Sequence, residues 1–334
     1  MHRSDEQDPL WDPKLPANAE LHRLQVLLAP YAASRRPALR SLPVRPGRLR
    51  WWLWPMRGLA VAAALMLTLW SLHAYRVYWP EGEAWPLLSA HAQHSLAPGE
   101  RLQTGSGETA QVQVARIGQM HIAANSVVRL IQSRSGQHRV ELESGRVHAR
   151  VWAPPGHFGI SSGALRVVDL GCEFTLERGA DGSGSLAVQS GWVQQYLGGQ
   201  KQLVPAGHAL KFTADSVDAP LRFDATPAMR SAVSELNQAL RTSGDADLHE
   251  RLASAVAVAA RDEDQYTLMN LLLRAPALAG GALYPRLAQA LKVPDDDTEH
   301  RAAWQRADAA AIEIWWKRLP SQPKRWWTHW RDAF

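Results

Sequence analysis

The sequence predicts a multi-domain membrane protein: one transmembrane α-helix, then an all-β module, either β-solenoid-like or a two-sheet sandwich, then an all-α helical C-terminal domain. Three observations predict it. An uncharged run of 18 residues, Gly58 to Tyr75, is bracketed by Arg57 and Arg76. Between Trp85 and Asp215, short runs alternate apolar and polar residues and break at glycines, as half-buried strands do. Beyond Thr226 the apolar spacing lengthens to the three-to-four-residue period of a helix.

The elements follow in order. Residues 1–50 form a short cytoplasmic segment, in which Asn18 can cap a helix running to Ala29 that aligns Leu21, Leu24, Leu27 and Leu28. Pro37, Pro43 and Pro46, set among arginines, then read as a tether. Residues 51–79 are the span. An 18-residue helix is about 27 Å long, close to the thickness of a bilayer core. Trp51, Trp52 and Trp54 lie at one end with Arg57, and Trp70, Tyr75 and Arg76 at the other, where amphipathic rings and cations meet headgroups. A cleaved signal peptide fits poorly, because the leading region is too long and no small-residue cleavage site follows.

Charge sets the orientation. The chain of 334 residues carries a formal net charge of +5, and residues 1–57 alone hold ten Lys/Arg against five Asp/Glu. The excess therefore lies wholly before the span. That excludes a basic, nucleic-acid-coating body and places the N-terminus in the cytoplasm. The rest, from about residue 80, faces the far side, which in a Gram-negative cell is the periplasm.

Residues 80–220 are the β module, with ten to twelve strands expected. The stretches "LESGRVHARV" and "VQSGWVQQYL" share an apolar-x-Ser-Gly-x-Val pattern, which predicts that Gly145 and Gly191 adopt positive φ between paired strands. Residues 227–334 carry helical patterns in "SAVSELNQAL", "DLHERLASAVAVAA", "DQYTLMNLLLRAP" and "YPRLAQAL", then a last helix over about Glu299 to Leu319. In the tail, Trp326, Trp327 and Trp330 alternate with Lys324 and Arg325, a mixture suited to a membrane surface; Trp315 and Trp316 fit that surface or the domain's own core.

No catalytic constellation is expected, and no cofactor or metal. "TGSGETA" lacks the Lys-Ser/Thr of a phosphate loop and reads as a turn. His91 and His94 have no third ligand nearby. Asp169 and Glu173 read as solvated strand ends rather than an acid–base pair, and Cys172, the single cysteine, as a small buried residue.

The succession "SLAPGERLQTGSGETAQVQV", "VVRL", "VELESGRVHARV", "FGISSGALRVVDLGCEFTLE", "LAVQSGWVQQ" and "VPAGHALKF" resembles the FecR domain, over about residues 85–212. Its most specific pieces are the strand at Phe158, Gly171-x-x-Phe174 and Gly191-x-Val193; Cys172 stands where the pattern usually has Thr. The resemblance implies a single-pass inner-membrane regulator whose β-rich periplasmic module passes an envelope signal to a cytoplasmic sigma factor. Two departures stand out: the segment before the span is shorter than the helical domain such regulators carry, and the C-terminal helices differ from the α/β domain of receptor-linked members.

The expected function is therefore a sensor or regulator acting through protein–protein contacts. Its partners are the membrane, a sigma factor or other cytoplasmic regulator met by Leu21, Leu24, Leu27 and Leu28, and a periplasmic or outer-membrane protein. An alternative is an envelope scaffold that binds a protein or glycan and sends no signal inward.

Overall fold

A computed structural model describes residues 19–31, 49–88 and 94–323. Two compact units, Met1–Met66 and Leu67–Phe334, divide the chain within its long helix. The first holds α1 (Ala19–Leu28) and the start of α2 (Leu49–Val77), a helix of 29 residues. Side chains of α2 are described from Val61 onward, and among the described residues no helix is long and apolar enough to cross a membrane.

The second unit opens with the end of α2 and continues, among the described residues, into fifteen strands. A small pair, β1 (Trp85–Pro86) and β2 (Ser95–Leu96), stands apart. Next come β3 (Arg101–Gln103), β4 (Ala110–Val114), β5 (Gly118–Ile122), β6 (Val127–Arg134), β7 (Gln137–Val151) and β8 (Phe158–Ser162). The series ends with β9 (Leu165–Asp169), β10 (Glu173–Arg178), β11 (Gly184–Ser190), β12 (Trp192–Leu197), β13 (Gln200–Pro205), β14 (His208–Phe212) and β15 (Leu221–Arg222).

The strands form two sheets that share β7. One has the order β3-β6-β7-β8-β9-β12-β13, the other β4-β5-β7-β10-β11-β14-β15. The first half of β7 lies between β6 and β8, and its second half between β5 and β10. Every pair is antiparallel except β7 with β8. A parallel solenoid is thereby ruled out, and the two-sheet alternative describes the module. Alternating burial along the strands sends Val112, Met120, Leu130, Leu142, Phe158, Phe174 and Leu186 into one core, each worth roughly 1.5–3 kcal/mol when fully buried.

Gly145 is where β7 passes from one sheet to the other. Its φ is +92°, and a Cβ there would overlap the backbone and side chain of Ser126. Ser126 is fully buried, and its Oγ accepts from the Arg146 N–H at 3.0 Å, so the bend is pinned across the sheet. Gly191, φ +71°, lies where the chain crosses back from β11 to β12, and a Cβ there would overlap the carbonyl oxygen of Gly171. The repeated Ser-Gly-x-Val of the sequence thus marks two sheet crossings.

Six helices follow: α3 (Pro227–Thr242), α4 (Ala246–Ala259), α5 (Gln265–Arg274), α6 (Leu283–Leu291), α7 (Thr298–Gln305) and α8 (Ala309–Trp316). Side-chain caps start four of them. Thr226 accepts from the Met229 N–H, Asp245 from those of Asp247 and Leu248, Asp297 from that of His300, and Asp308 from those of Ala310 and Ala311. The single helix expected over Glu299–Leu319 is two, because Ala307 takes φ +57° and Asp308 caps a new start. Between them Trp304 and Trp315 are buried against Tyr284, whose ring stacks on Trp315 at 4.3 Å. Trp315 is therefore a core residue, and Trp316 packs partly against the same core.

If Gly145 is fixed by its close contact as well as its backbone angle, Gly145→Ala costs about 3 kcal/mol, the sum of left-handed strain and overpacking. Gly99→Ala, also at positive φ but with open space around it, costs about 1 kcal/mol. Thermal unfolding of the two variants in detergent measures the difference; equal losses would remove Ser126 from the account.

Candidate functional site

Among the described residues, three places can do something beyond holding the fold: a cleft between the β module and the helices, a collar around the end of α2, and the exposed face of α1.

The cleft begins at the sheet crossings. Asp169, at the end of β9, is fully buried; its carboxylate accepts from the Gly171 N–H at 3.1 Å and the Cys172 N–H at 2.8 Å, and the Cys172 thiol also donates to it. The expected solvated strand end is instead a side chain that closes a turn, because the crossing leaves two backbone N–H groups pointing inward. Burial pushes the Asp169 carboxyl up to about 7, against the pull of those donors, and raises the Cys172 thiol. Glu173, read likewise as a solvated strand end, pairs with His148 at 3.1 Å and Arg150 at 3.6 Å.

Leu170 and Trp192, which flank these crossings, belong to the helical core rather than the sheet core. Trp192 meets Tyr266 of α5 edge-on at 5.6 Å, and Thr267 donates to the Pro220 carbonyl at 2.7 Å. Beside this seam opens a cleft of about 650 Å³, with Trp192, Tyr266, His208, Arg222, Glu263 and Lys292 among its walls. His208 donates from Nδ1 to the Ala206 carbonyl at 3.0 Å, and burial holds its pKa down, so Nε2 presents a lone pair. Arg222 is held by both oxygens of Asp224, at 2.7 and 2.8 Å, and Asp262 by Arg286 at 3.0 Å. An aromatic floor under charged groups, of which Arg222 and Asp262 are paired, suits recognition of a polar chain or ring.

The collar surrounds the C-terminal end of α2. Arg116, in the turn between β4 and β5, donates to the carbonyls of Tyr75 and Tyr78 at 3.2 and 3.1 Å, and lies over the Tyr75 ring at 4.0 Å. It satisfies orphan carbonyls at the negative end of the helix dipole. The next residue, Trp79, is buried; its N–H donates to Ser135 Oγ at 2.7 Å, and that hydroxyl donates back to the Trp79 carbonyl at 3.0 Å. Strand β7 thus begins beside the helix end at Ser135. After the bend at Gly145 it returns there at Trp152, whose ring lies 6.0 Å from the Arg76 guanidinium.

On α1, Leu24, Leu27 and Leu28 are exposed, at 52%, 65% and 60%. The apolar face read from the sequence is thus uncovered at those three positions. On α2, Trp70 and Tyr75 are exposed, and Arg76 stands in the last turn. The side chains of Leu21, Trp51, Trp52, Trp54 and Arg57 lie outside the described ones, and so do residues His91, Lys324, Arg325, Trp326, Trp327 and Trp330. Among the described residues no group of three or more His, Cys, Asp or Glu could hold a metal ion.

The sequence did not point to the cleft, since its walls come from β12, β14, α5 and the end of α6 and carry no local motif. Nor did it point to Arg116 and Trp152. The signal available was Trp152 standing one residue, Ala153, ahead of Pro154-Pro155-Gly156, an aromatic at the mouth of a turn.

Residues 100–194 match the family model described as FecR protein, within the stretch that resembles that domain. Two solved structures of a candidate anti-sigma factor from Parabacteroides distasonis ATCC 8503 are similar to part of the chain, each at 19% identity and a TM-score of 0.33. The matches cover 41% of this chain and 65% and 64% of those chains, so this chain spans less than two thirds of their length. No curated protein matches.

Asp169 sets a pH dependence. Its folded pKa lies above the ordinary 3.8, so the stability it confers is fully present below 3.8 and is lost as pH rises through about 7. Asp169→Asn removes this component: the fall in unfolding midpoint between pH 5 and pH 8 is expected to be smaller in the variant than in the parent. An unchanged fall would mean the carboxyl is ionised throughout.

Proposed function

We propose that this chain is a single-pass inner-membrane regulator of the FecR type, anchored by α2, with α1 in the cytoplasm and the β module and helical domain in the periplasm. The observation that carries the reading is the FecR match over residues 100–194 in a module fastened without slack to the end of a 29-residue helix whose stretch Gly58 to Tyr75 is uncharged. Exposure around α2 agrees with a lipid environment. Val61, Leu65, Met66, Leu67, Leu69 and Leu72 are all open to the surroundings, an arrangement that water penalises and hydrocarbon does not.

In this reading the cleft floored by Trp192 and Tyr266 receives an envelope partner. The joint at Arg116 and Trp79 passes a change in the β module to α2, since a helix whose last carbonyls are held by side chains of the module moves with it. On the cytoplasmic side, the uncovered Leu24, Leu27 and Leu28 meet a sigma factor or another regulator as an amphipathic helix meets a groove.

Two measurements test this. Alkaline phosphatase fused at the C-terminus is expected to be active and at the N-terminus inactive; the reverse pattern rejects the topology. Leu24→Asp with Leu28→Asp is expected to lower cross-linked recovery of the cytoplasmic partner about tenfold or more, and to change transcription of the genes it controls. If recovery and transcription stay unchanged while periplasmic partners are still captured, the protein is an envelope scaffold instead.

A further inference from the structure

We propose that the rim of the β module around Trp152 rests in the headgroup layer of the bilayer, so that the module is docked on the membrane surface rather than held clear of it. The proposal rests on the reading of α2 as the membrane span. It goes further in assigning a lipid-contact role to residues of the β module itself.

Trp152 follows the last residue of β7 and is 49% exposed, although its backbone is fixed by an N–H donated to the Ile117 carbonyl at 2.7 Å. A large indole held open on a rigid edge is costly in water and favourable at a bilayer interface. Its depth is set by its neighbours. The Arg76 guanidinium, in the last turn of α2, lies 6.0 Å from the ring centroid, and that of Arg150 lies 5.3 Å away. The hydrocarbon core is about 30 Å thick within a bilayer of about 40–45 Å, which leaves a headgroup layer of about 5–8 Å on each side. Arg76 closes the uncharged run and so marks that layer. A ring 6.0 Å away, on a module clamped to the same helix end by Arg116 and Ser135, falls within it or at its edge.

The surrounding chemistry agrees with a zwitterionic or mildly anionic surface. Arg76, Arg116 and Arg150 supply donors for phosphate, and Tyr75 and Tyr78 supply exposed interfacial rings at the same helix end. Exposed Glu81 and Glu83 lie on the segment just after the helix, and Glu173 pairs with Arg150, so the net charge here is small. Aromatic partitioning, more than long-range attraction, therefore holds the rim to the bilayer.

The register supplies a control. Arg178 pairs with Gly145 and Glu173 with Arg150, so the turn after β10 lies at the far end of the strands from Trp152. Full-length protein is reconstituted in nanodiscs of phosphatidylcholine and phosphatidylglycerol. Each of Trp152→Cys, Ala180→Cys and Leu67→Cys carries an environment-sensitive fluorophore; Cys172 is buried with a raised pKa and stays unlabelled.

Nitroxide on the lipid headgroup is expected to quench the label at 152 about twofold or more and to leave that at 180 unchanged, while chain-borne nitroxide quenches the label at 67. If 152 behaves like 180, whether both are bright or both quenched, while 67 is quenched, the docked rim is rejected and the span stands. If 67 is not quenched, the span itself fails and takes this proposal with it.

Discussion

Strand β7 crosses between the two sheets at Gly145, and the rest of the second unit is arranged around that crossing. A strand of 15 residues can serve two sheets only if its backbone turns sharply in the middle. At φ +92°, hard against Ser126, only glycine does so without displacing a buried neighbour. Because β7 goes out and comes back, both its ends stand near the same place: Ser135 just before it and Trp152 just after it. The end of α2 is held between them. Core, collar and exposed rim are therefore consequences of one bend.

The other crossings repeat the problem and solve it differently. Where β9 leads to β10, the inward-facing N–H groups of Gly171 and Cys172 are satisfied by the buried carboxylate of Asp169, and where β11 leads to β12, Gly191 fits closely over the Gly171 carbonyl. The apolar residues beside these turns, Leu170 and Trp192, are buried in the helical core, where Trp192 meets Tyr266 of α5. The helical domain is thereby seated on the crossings, and the cleft is what remains open beside the seam. A change of shape at the cleft has a short path of packed residues to β9 and β10, and through the pairing of β10 with β7 to the collar.

Much of this was legible in one dimension. Period-two alternation located the strands because one face of each sheet is buried, and the lengthened period after Thr226 located the helices for the corresponding reason. The paired Ser-Gly-x-Val motifs pointed to positive φ at Gly145 and Gly191, although not to what the two glycines have in common, which is a change of sheet. The acidic residue at 169 was misread, because a carboxylate at a strand end is ordinarily solvated and only the crossing buries it. Trp315 was similarly ambiguous: an indole beside cations suits a bilayer or a core, and the left-handed turn at Ala307 brings it, with Trp304, against Tyr284.

By itself, then, the sequence determined what depends on local repetition: the uncharged run between Arg57 and Arg76, the strand texture, the helical texture, the one-sided charge and the FecR pattern. These are written in neighbouring residues, because burial of one face imposes its own period. Only the tertiary structure decided which sheet each strand joins, that Asp169 closes a turn, that Arg116 caps a helix some forty residues before it, and that Trp152 stands open beside Arg76. Those facts depend on contacts between distant segments, and such contacts follow from how the two sheets share β7, which no local pattern records.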